Sequence, residues 1–225
     1  MKKREMNVNV AQAIYTIDKV RHLTESTYVL RFSRNGMKFT PGQHLVLGLP
    51  GSNELREYSI YSGINDDALE VIIKEVDDGM VSCQLKKIMP GDPLEVKGPR
   101  GFFLTRAAVP DAGKLLFLSS GTGIAPFHSY IQSFPGADYR LIHGVRNRNE
   151  AYDADDYQNG RFITCTSRDE EGDFSGRLTD YLLEAELESE SQVFLCGNSN
   201  MIFDAMDILR ARGFSQNQIF TEVYF

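Results

Sequence analysis

Residues 115–127 read LLFLSSGTGIAPF, an apolar run followed by a glycine-rich turn and the start of a helix. Glycines in such a turn let the backbone approach a pyrophosphate closely, and the free N–H groups at the helix start attract its charge. The third glycine of the dinucleotide fingerprint is replaced by Ala125, and the spacing also suits a plain strand-to-helix turn. Because a strand precedes the turn and a helix follows it, we interpret Gly121, Thr122 and Gly123 as a dinucleotide-binding loop.

The spacing of apolar residues differs on the two sides of this loop. After it, apolar runs alternate with segments long enough for helices, which is the βαβ pattern of a parallel sheet. The expected strands are 114–118, 139–143, 161–166 and 193–195, and the expected helices are 126–134, 176–187 and 200–212. Before it, short runs rich in β-branched and aromatic residues are separated by turn formers, with one short helix at 82–87. The sequence therefore predicts an antiparallel β-barrel domain over residues 1–108 and a Rossmann-like parallel α/β domain over residues 109–225.

Composition excludes several classes of protein. The 225 residues carry 31 acidic and 24 basic side chains, and a net charge of −7 argues against a nucleic-acid protein that depends on phosphate contacts. No stretch approaches the roughly 18 apolar residues of a membrane span, and no signal peptide is visible. Cys83, Cys165 and Cys196 fit reduced thiols better than disulfides or an iron–sulfur cluster. We expect a cytoplasmic monomer with no bound metal.

Three arginines mark the rim where the strands of the parallel sheet end. Sites for NAD place an acid after the second strand, whereas Arg146 stands there in this chain. Ser167-Arg168 follows the next strand, and Arg177 opens a helix. Any one of these arginines is more simply read as a surface charge paired with an acid. Together they predict a binding site for a 2′-phosphate, because the hydrogen-bond donors of guanidinium groups match phosphate oxygens.

A second group of motifs lies in the first half. In Arg56-Glu57-Tyr58-Ser59, an alternating strand places Arg56 and Tyr58 on one face and Ser59 on the other, which alone is ordinary strand chemistry. With the motifs that follow it, the chain resembles the ferredoxin–NADP⁺ reductase family, and most of all its bacterial flavodoxin/ferredoxin branch. The shared motifs run in the family's order over nearly the whole chain. They are Arg-x-Tyr-Ser, Gly-x-x-Ser, Gly-Thr-Gly-Ile-Ala-Pro, Ser-Arg then Gly-Arg, Cys-Gly-x-x-x-Met and a C-terminal Glu-Val-Tyr.

The resemblance implies that FAD is bound by the first half. It assigns Arg56 to the FAD pyrophosphate, Tyr58 to stacking on the isoalloxazine, and Ser59 to the N5/O4 edge of the flavin. It also places Val81 and Ser82 at the FAD pyrophosphate, and the position of these two residues at a helix start agrees with that role.

The same resemblance implies NADP(H) in the second half. Gly121, Thr122 and Gly123 hold its pyrophosphate in this interpretation. The residues assigned to the 2′-phosphate are Arg146, Ser167, Arg168 and Arg177. Cys196 is assigned a place beside the nicotinamide C4, although a small buried thiol is the simpler reading of a cysteine taken alone.

The C-terminal residues form the last predicted part of the site. By resemblance, Glu222 lies near the reacting atoms and an aromatic side chain covers the flavin ring. Tyr224 is followed by Phe225, and the sequence leaves open which of them stacks. The alternative is an ordinary edge strand whose aromatic side chains close the core.

The resemblance thus implies an FAD-dependent oxidoreductase that exchanges electrons between NADP(H) and ferredoxin or flavodoxin by hydride transfer at flavin N5. Ser59, Cys196 and Glu222 are the expected catalytic residues. An NAD(P)H-flavin reductase or the reductase component of an oxygenase would use the same scaffold. A nucleotide-binding electron-transfer subunit without turnover is a third possibility, which the presence of all three residues disfavours.

Overall fold

A computed structural model describes residues 12–76, 79–104 and 113–224. The first six strands, β1 to β6, are Gln12–His22, Thr27–Ser33, His44–Gly48, Arg56–Ser59, Ala68–Lys74 and Pro93–Arg100. They pair antiparallel in the order β4-β3-β6-β1-β2-β5, and a bridge between Ile60 and Val71 joins the two ends of that order. The result is a barrel filled by fully buried side chains such as Phe32, Leu45 and Leu69.

A short helix, α1 at Met80–Leu85, covers this barrel with Val81 and Leu85 buried. It begins two residues before the predicted start at residue 82. The tyrosine Tyr28, inside the barrel, fixes the helix because its hydroxyl donates to the carbonyl of Ser82 at 2.7 Å.

The second sheet contains six strands that all run parallel. Strands β7 to β12 are Leu115–Ser120, Tyr139–Val145, Phe162–Thr166, Phe174–Ser175, Gln192–Asn198 and Ile219–Tyr224. Helices α2 to α4 are Ala125–Ser133, Leu178–Glu184 and Ser199–Ala211. The strand order β10-β9-β8-β7-β11-β12 changes direction at β7, and open α/β sheets bind ligands outside the carboxyl ends of the strands at such a point.

The predicted fold class is confirmed by these two sheets, with differences in detail. Helix α3 starts at Leu178 rather than at residue 176, because Arg177 is extended and its N–H is accepted by the carboxylate of Asp180 at 2.9 Å. Strand β1 does not stand out in the sequence as an apolar run, because its Thr16, Asp18 and Lys19 interrupt the apolar pattern. The predicted boundary after residue 108 lies outside the described residues.

One apolar cluster crosses from the barrel to the parallel sheet. Val29, Tyr61 and Ile72 of the barrel half pack with Phe117 and Phe127 of the other half. Burial of this shared surface favours a fixed arrangement of the two halves. Among the helices of the described residues, none has the length and apolar content needed to cross a membrane.

Charged and polar side chains join the same two halves. Arg21 donates from both terminal nitrogens to Asp153, at 2.6 and 2.8 Å, and the Tyr61 hydroxyl donates to the same carboxylate at 2.8 Å. Asp153 has a left-handed backbone, with φ +48°. Residues with short polar side chains tolerate that conformation best.

Candidate functional site

A cleft of about 1280 Å³ separates the barrel from the carboxyl ends of the parallel strands. Most of the predicted site residues line it, and they come from both halves. They are Arg56, Tyr58, Ser59, Val81, Ser82, Gly121, Thr122, Arg146, Ser167, Arg177, Glu222 and Tyr224. The cleft therefore has one wall from each half.

Ser59 meets the C-terminal strand at the centre of this cleft. Its hydroxyl donates to Glu222 Oε1 at 3.1 Å and accepts a hydrogen bond from the hydroxyl of Tyr224 at 2.6 Å. Glu222 is paired in register with Cys196 of β11. The parallel pairing of β11 and β12 therefore places Cys196 next to Glu222, which contacts Ser59, although Cys196 itself does not line the cleft.

Burial controls the ionisation of this central group. It raises the pKa of Glu222 to about 7, against the opposing effect of the hydrogen bond from Ser59. Burial, reinforced by the nearby Glu222 charge, also raises the pKa of the Cys196 thiol well above its usual value. Cys196 is fully buried. Glu222 can therefore exchange a proton near neutral pH, whereas Cys196 stays a thiol rather than a reactive thiolate.

The barrel wall presents positive charge beside a helix start. The exposed Arg56 lies 3.0 Å from Glu54, a surface contact that an anionic ligand can replace. Val81 and Ser82 line the same wall at the start of α1. The hydroxyl of Ser82 accepts from the backbone N–H of Val76 at 3.2 Å, so it also closes the preceding loop. These groups fit the diphosphate of a dinucleotide flavin.

The opposite wall contains the glycine loop. Gly121 has φ +54°, a left-handed conformation, and a Cβ added there would meet nothing within 4 Å, so it faces open space. Gly123 differs, because a Cβ there would overlap the carbonyl oxygen of Cys196. The loop continues as a 3₁₀ turn into α2. It fits a pyrophosphate through Gly121 and Thr122, while Gly123 permits close packing on β11.

Arg146 is held by a buried acid that the sequence analysis did not identify. The Arg146 backbone N–H and its Nη2 donate to Glu150 at 3.0 and 2.5 Å, and Lys74 Nζ of the barrel lies 3.9 Å away. Burial alone would raise the pKa of Glu150, but the hydrogen bonds from Arg146 and the charge of Lys74 lower it overall. Glu150 is therefore ionised and balances part of the positive charge of the rim.

Only some of the other predicted rim residues line the cleft. Ser167 and the exposed Arg177 line the cleft together with Arg146. Arg168 is exposed in the adjoining loop but does not line the cleft. The structure thus brings two of the three predicted arginines to the cleft wall.

Several lining residues had no place in the sequence prediction. The i,i+4 spacing of Arg146 and Glu150 was a usable signal, whereas nothing in the sequence showed that Glu150 would be buried. Lys74 and Asp204 also line the cleft. Neither belongs to a motif with a role in the site, so only their position in the fold brings them there.

A group of potential metal ligands lies away from this cleft. Single ligand atoms of His128, Asp153 and Asp156 fall within 4.8 Å of one another. Both carboxylate oxygens of Asp153 already accept from Arg21, and His128 Nε2 lies 2.8 Å from Asp156. We therefore interpret this group as part of the contact between the two halves.

Comparison with known proteins assigns a different nucleotide-binding domain to each half of the chain. Residues 15–104 match the family model of the oxidoreductase FAD-binding domain, and residues 117–207 match that of the oxidoreductase NAD-binding domain. The solved structure of a ferredoxin NADP⁺ reductase from Neisseria gonorrhoeae with bound FAD and NADP superposes with a TM-score of 0.83. It is 26% identical, and the match covers 95% of this chain and 99% of that one.

The chain belongs to the ferredoxin–NADP⁺ reductase family. It is 29% identical over 212 residues to the flavodoxin/ferredoxin–NADP reductase of Escherichia coli strain K12, a match that covers 84% of this chain and 86% of that protein. It is 30% identical over 226 residues to the toluate 1,2-dioxygenase electron transfer component of Pseudomonas putida. That match covers 92% of this reductase and 66% of the longer component.

These comparisons confirm the predicted class of protein. The reductase is a flavoprotein oxidoreductase with FAD and NADP(H) as cofactors. Related proteins include both ferredoxin–NADP reductases and reductase components of oxygenases. The roles of individual residues stay predictions, and Phe225 lies outside the described residues.

Proposed function

We propose that this reductase passes electrons between NADPH and a ferredoxin or flavodoxin, with FAD held by residues 1–108 and NADP(H) by residues 109–225. The observation that supports this best is the contact of Ser59, from the barrel, with Glu222 and Tyr224, from the parallel sheet. It lies where the two cofactor walls meet. Bound FAD supplies the ability to accept an electron pair and release single electrons.

Residues of the barrel wall hold and orient the flavin in this proposal. Arg56 neutralises the diphosphate together with the start of α1 at Val81 and Ser82. Tyr58 packs on the ring, and the Ser59 hydroxyl forms a hydrogen bond at its reactive edge. Holding both cofactors in alignment is the main contribution of the protein to the rate.

The central residues hold a proton and shape the space for nicotinamide. The carboxyl group of Glu222, with a pKa of about 7, gains or loses a proton at working pH. Cys196 is buried beside Glu222 and stays an uncharged thiol, so it supports the nicotinamide site from behind without lining the cleft. Tyr224 occupies the centre of the cleft until nicotinamide enters, with its hydroxyl bound to Ser59.

The parallel-sheet wall selects the nucleotide. Gly121 and Thr122 bind the pyrophosphate through backbone N–H groups. Ser167 and Arg177 bind the 2′-phosphate, and Arg146 joins them in the orientation that Glu150 imposes. Arg168, which does not line the cleft, contributes less than Arg177.

The reductase component of an oxygenase is the alternative, and the 30% identical toluate dioxygenase component favours it. The cleft chemistry would be the same, and only the electron acceptor would differ. We also propose a cytoplasmic monomer, in keeping with three unpaired cysteines among the described residues.

The acceptor assay tests this function directly. We expect the holoprotein to reduce the host's ferredoxin or flavodoxin with NADPH at least tenfold more efficiently, by kcat/KM, than with NADH. A high rate with free flavin and none with either carrier would support the flavin-reductase alternative. Activity only in the presence of an oxygenase would assign the chain to such a system.

A pair of arginine variants tests the nucleotide choice in the same assay. Arg177→Ala should raise the KM for NADPH about tenfold and leave that for NADH nearly unchanged, because a charge-assisted contact contributes about 1.5–3 kcal/mol. Arg168→Ala should have a smaller effect. The control is Arg210→Ala on α4, an exposed arginine paired with Asp207, which should change neither constant. Equal effects of Arg177→Ala on both nucleotides would contradict the assignment.

A further inference from the structure

His143 is a fully buried histidine in β8, beneath the glycine loop. Its Nε2 lies 2.9 Å from the carbonyl oxygen of Gly121, and its side chain has no exposed surface. A carbonyl oxygen only accepts, so Nε2 carries the hydrogen of this bond. Burial lowers the pKa of His143 to about 4, so the ring is neutral near pH 7 and Nδ1 is an acceptor.

This hydrogen bond fixes the direction of a backbone donor. In a trans peptide unit the C=O and the following N–H point in opposite directions. Because the Gly121 carbonyl points down to His143, the Thr122 N–H points up towards the cleft that Gly121 and Thr122 line. Glycine at φ +54° offers little resistance to a rotated peptide, so the bond from His143 adds to the 3₁₀ turn at Gly121–Ile124 in holding the orientation.

Two residues with hydroxyl groups flank His143 in the sheet. Ser119 of β7 and Thr164 of β9 are the register neighbours of His143, so all three side chains project from the same face of the sheet. Ser119 Oγ, His143 Nδ1 and Thr164 Oγ1 are buried, and each lacks a hydrogen-bond partner within the part of the chain that the structure describes. Buried polar atoms without a protein partner are commonly satisfied by an ordered water, and three of them lie here on neighbouring strands.

We propose that His143 is a positioning residue for the dinucleotide pyrophosphate, and that a water bound between Ser119, His143 and Thr164 pairs with Nδ1 and so reinforces the tautomer that the Gly121 carbonyl selects. The water donates to Nδ1 and accepts from a neighbouring hydroxyl. Nε2 then keeps its hydrogen and holds the Gly121 carbonyl, which directs the Thr122 N–H at the pyrophosphate. This inference rests on the proposed binding of the nucleotide by Gly121 and Thr122.

The competing interpretation is that His143 only fills the core. Its ring lies 6.0 Å from Tyr152 and 6.1 Å from Phe162, between centroids, so it has apolar neighbours. A purely structural residue would affect stability and every bound ligand alike. A positioning residue would affect only ligands that contain the pyrophosphate.

The test compares His143→Leu with His143→Gln in the FAD-loaded protein. Leucine removes the donor and should weaken NADPH and NADH binding in parallel, by about tenfold, because both contain the pyrophosphate. Glutamine offers a donor and an acceptor of similar reach and should restore most of the affinity. Adenosine 2′-phosphate, which lacks the pyrophosphate, should inhibit all three proteins equally.

In this test the role of His143 and the proposed NADPH preference can fail independently. Equal wild-type affinities for NADPH and NADH would contradict the NADPH preference, and a parallel loss in His143→Leu would still support the role of His143. Unchanged NADPH and NADH affinities in His143→Leu would overturn that role. So would an equal loss of adenosine 2′-phosphate binding, because it would indicate general damage to the sheet.

Nitrogen-15 NMR of labelled histidine tests the water in wild-type holoprotein and in the double variant Ser119→Ala, Thr164→Val. Wild type should show one neutral tautomer with the hydrogen on Nε2. The double variant lacks both flanking hydroxyls, so it should show a mixture of tautomers and a several-fold weaker affinity for NADPH. A single Nε2–H tautomer with unchanged affinity in the double variant would overturn the proposed water.

Discussion

At the scale of single residues, Glu222 makes stability depend on pH. Its pKa in the folded protein, about 7, lies above its ordinary value of 4.5, so folding favours the protonated form. The stability that this preference contributes is complete below the ordinary pKa and is lost as the pH rises through about 7. The unfolded chain ionises first, so each rise in pH between the ordinary pKa of 4.5 and about 7 favours unfolding.

We predict that wild-type protein loses about 1–3 kcal/mol of unfolding free energy between about pH 5 and pH 8 relative to Glu222→Gln, which cannot ionise. Denaturant titrations of the flavin-free proteins at several pH values measure this difference. Glu186→Gln, which removes an exposed carboxylate, is the control and should follow wild type. A constant difference between wild type and Glu222→Gln across this range would contradict the raised pKa.

At the scale of elements, β12 is the edge strand that delivers Glu222 and Tyr224 to the cleft. Its pairing with β11 is parallel and continues to Asn198 and Tyr224. The hydroxyl of Tyr224 donates a hydrogen bond of 2.6 Å to Ser59 and also interacts with the thiol of Cys196. If nicotinamide must displace this ring, its apparent affinity falls by the fraction of molecules in which the tail is open.

Removal of Tyr224 and Phe225 should therefore strengthen NADP⁺ binding and increase the long-wavelength absorbance that accompanies nicotinamide stacking, while slower product release lowers kcat. Titration with NADP⁺ in the visible range measures both effects. Tyr224→Phe keeps the ring but not the bond to Ser59, and should improve binding about two- to tenfold. A well-folded truncation with the wild-type spectrum would show that these aromatic residues do not cover the nicotinamide site.

At the scale of the whole molecule, the contact between the halves fixes the two walls of the cleft. The shared apolar cluster and the pair Arg21–Asp153 cross this contact, and Lys74 reaches Glu150 across it. Displacement of one half would separate Ser59 from Glu222. The function we propose therefore depends on this interface, which extends from the apolar cluster to the cleft wall at Lys74 and Glu150.

We predict that Asp153→Asn weakens this interface by about 1–3 kcal/mol, because the two hydrogen bonds from Arg21 lose their charged acceptor. Asparagine tolerates the left-handed backbone, so the loss is one of charge rather than of conformation. Chemical unfolding followed by circular dichroism and by flavin fluorescence measures it. The control is Glu70→Gln, which removes the exposed ion pair with Arg31 on the surface of the barrel half. It should lower the free energy of unfolding by less than about 1 kcal/mol. Equal losses in the two variants would show that Asp153 has no special part in joining the halves.

The sequence alone determined the two kinds of sheet and the motif positions. Periodicity and turn residues are local, so the glycine loop at residues 121–123 and the helix near residue 200 were readable without a structure. The order of motifs identified the family, and with it the cofactors. Element ends were less exact, as at α3, because capping contacts such as that of Asp180 with the Arg177 N–H decide them.

Only the tertiary structure decided which distant residues share the cleft. Ser59 and Glu222 are 163 positions apart, and their hydrogen bond exists because the barrel packs on the sheet. The burial of Glu150 and His143 likewise depends on residues remote in sequence. Burial lowers the pKa of His143, whereas the hydrogen bonds from Arg146 and the charge of Lys74 keep Glu150 ionised against the effect of its burial. A local pattern carries no information about such contacts, because desolvation and hydrogen-bond geometry arise only when the chain is folded.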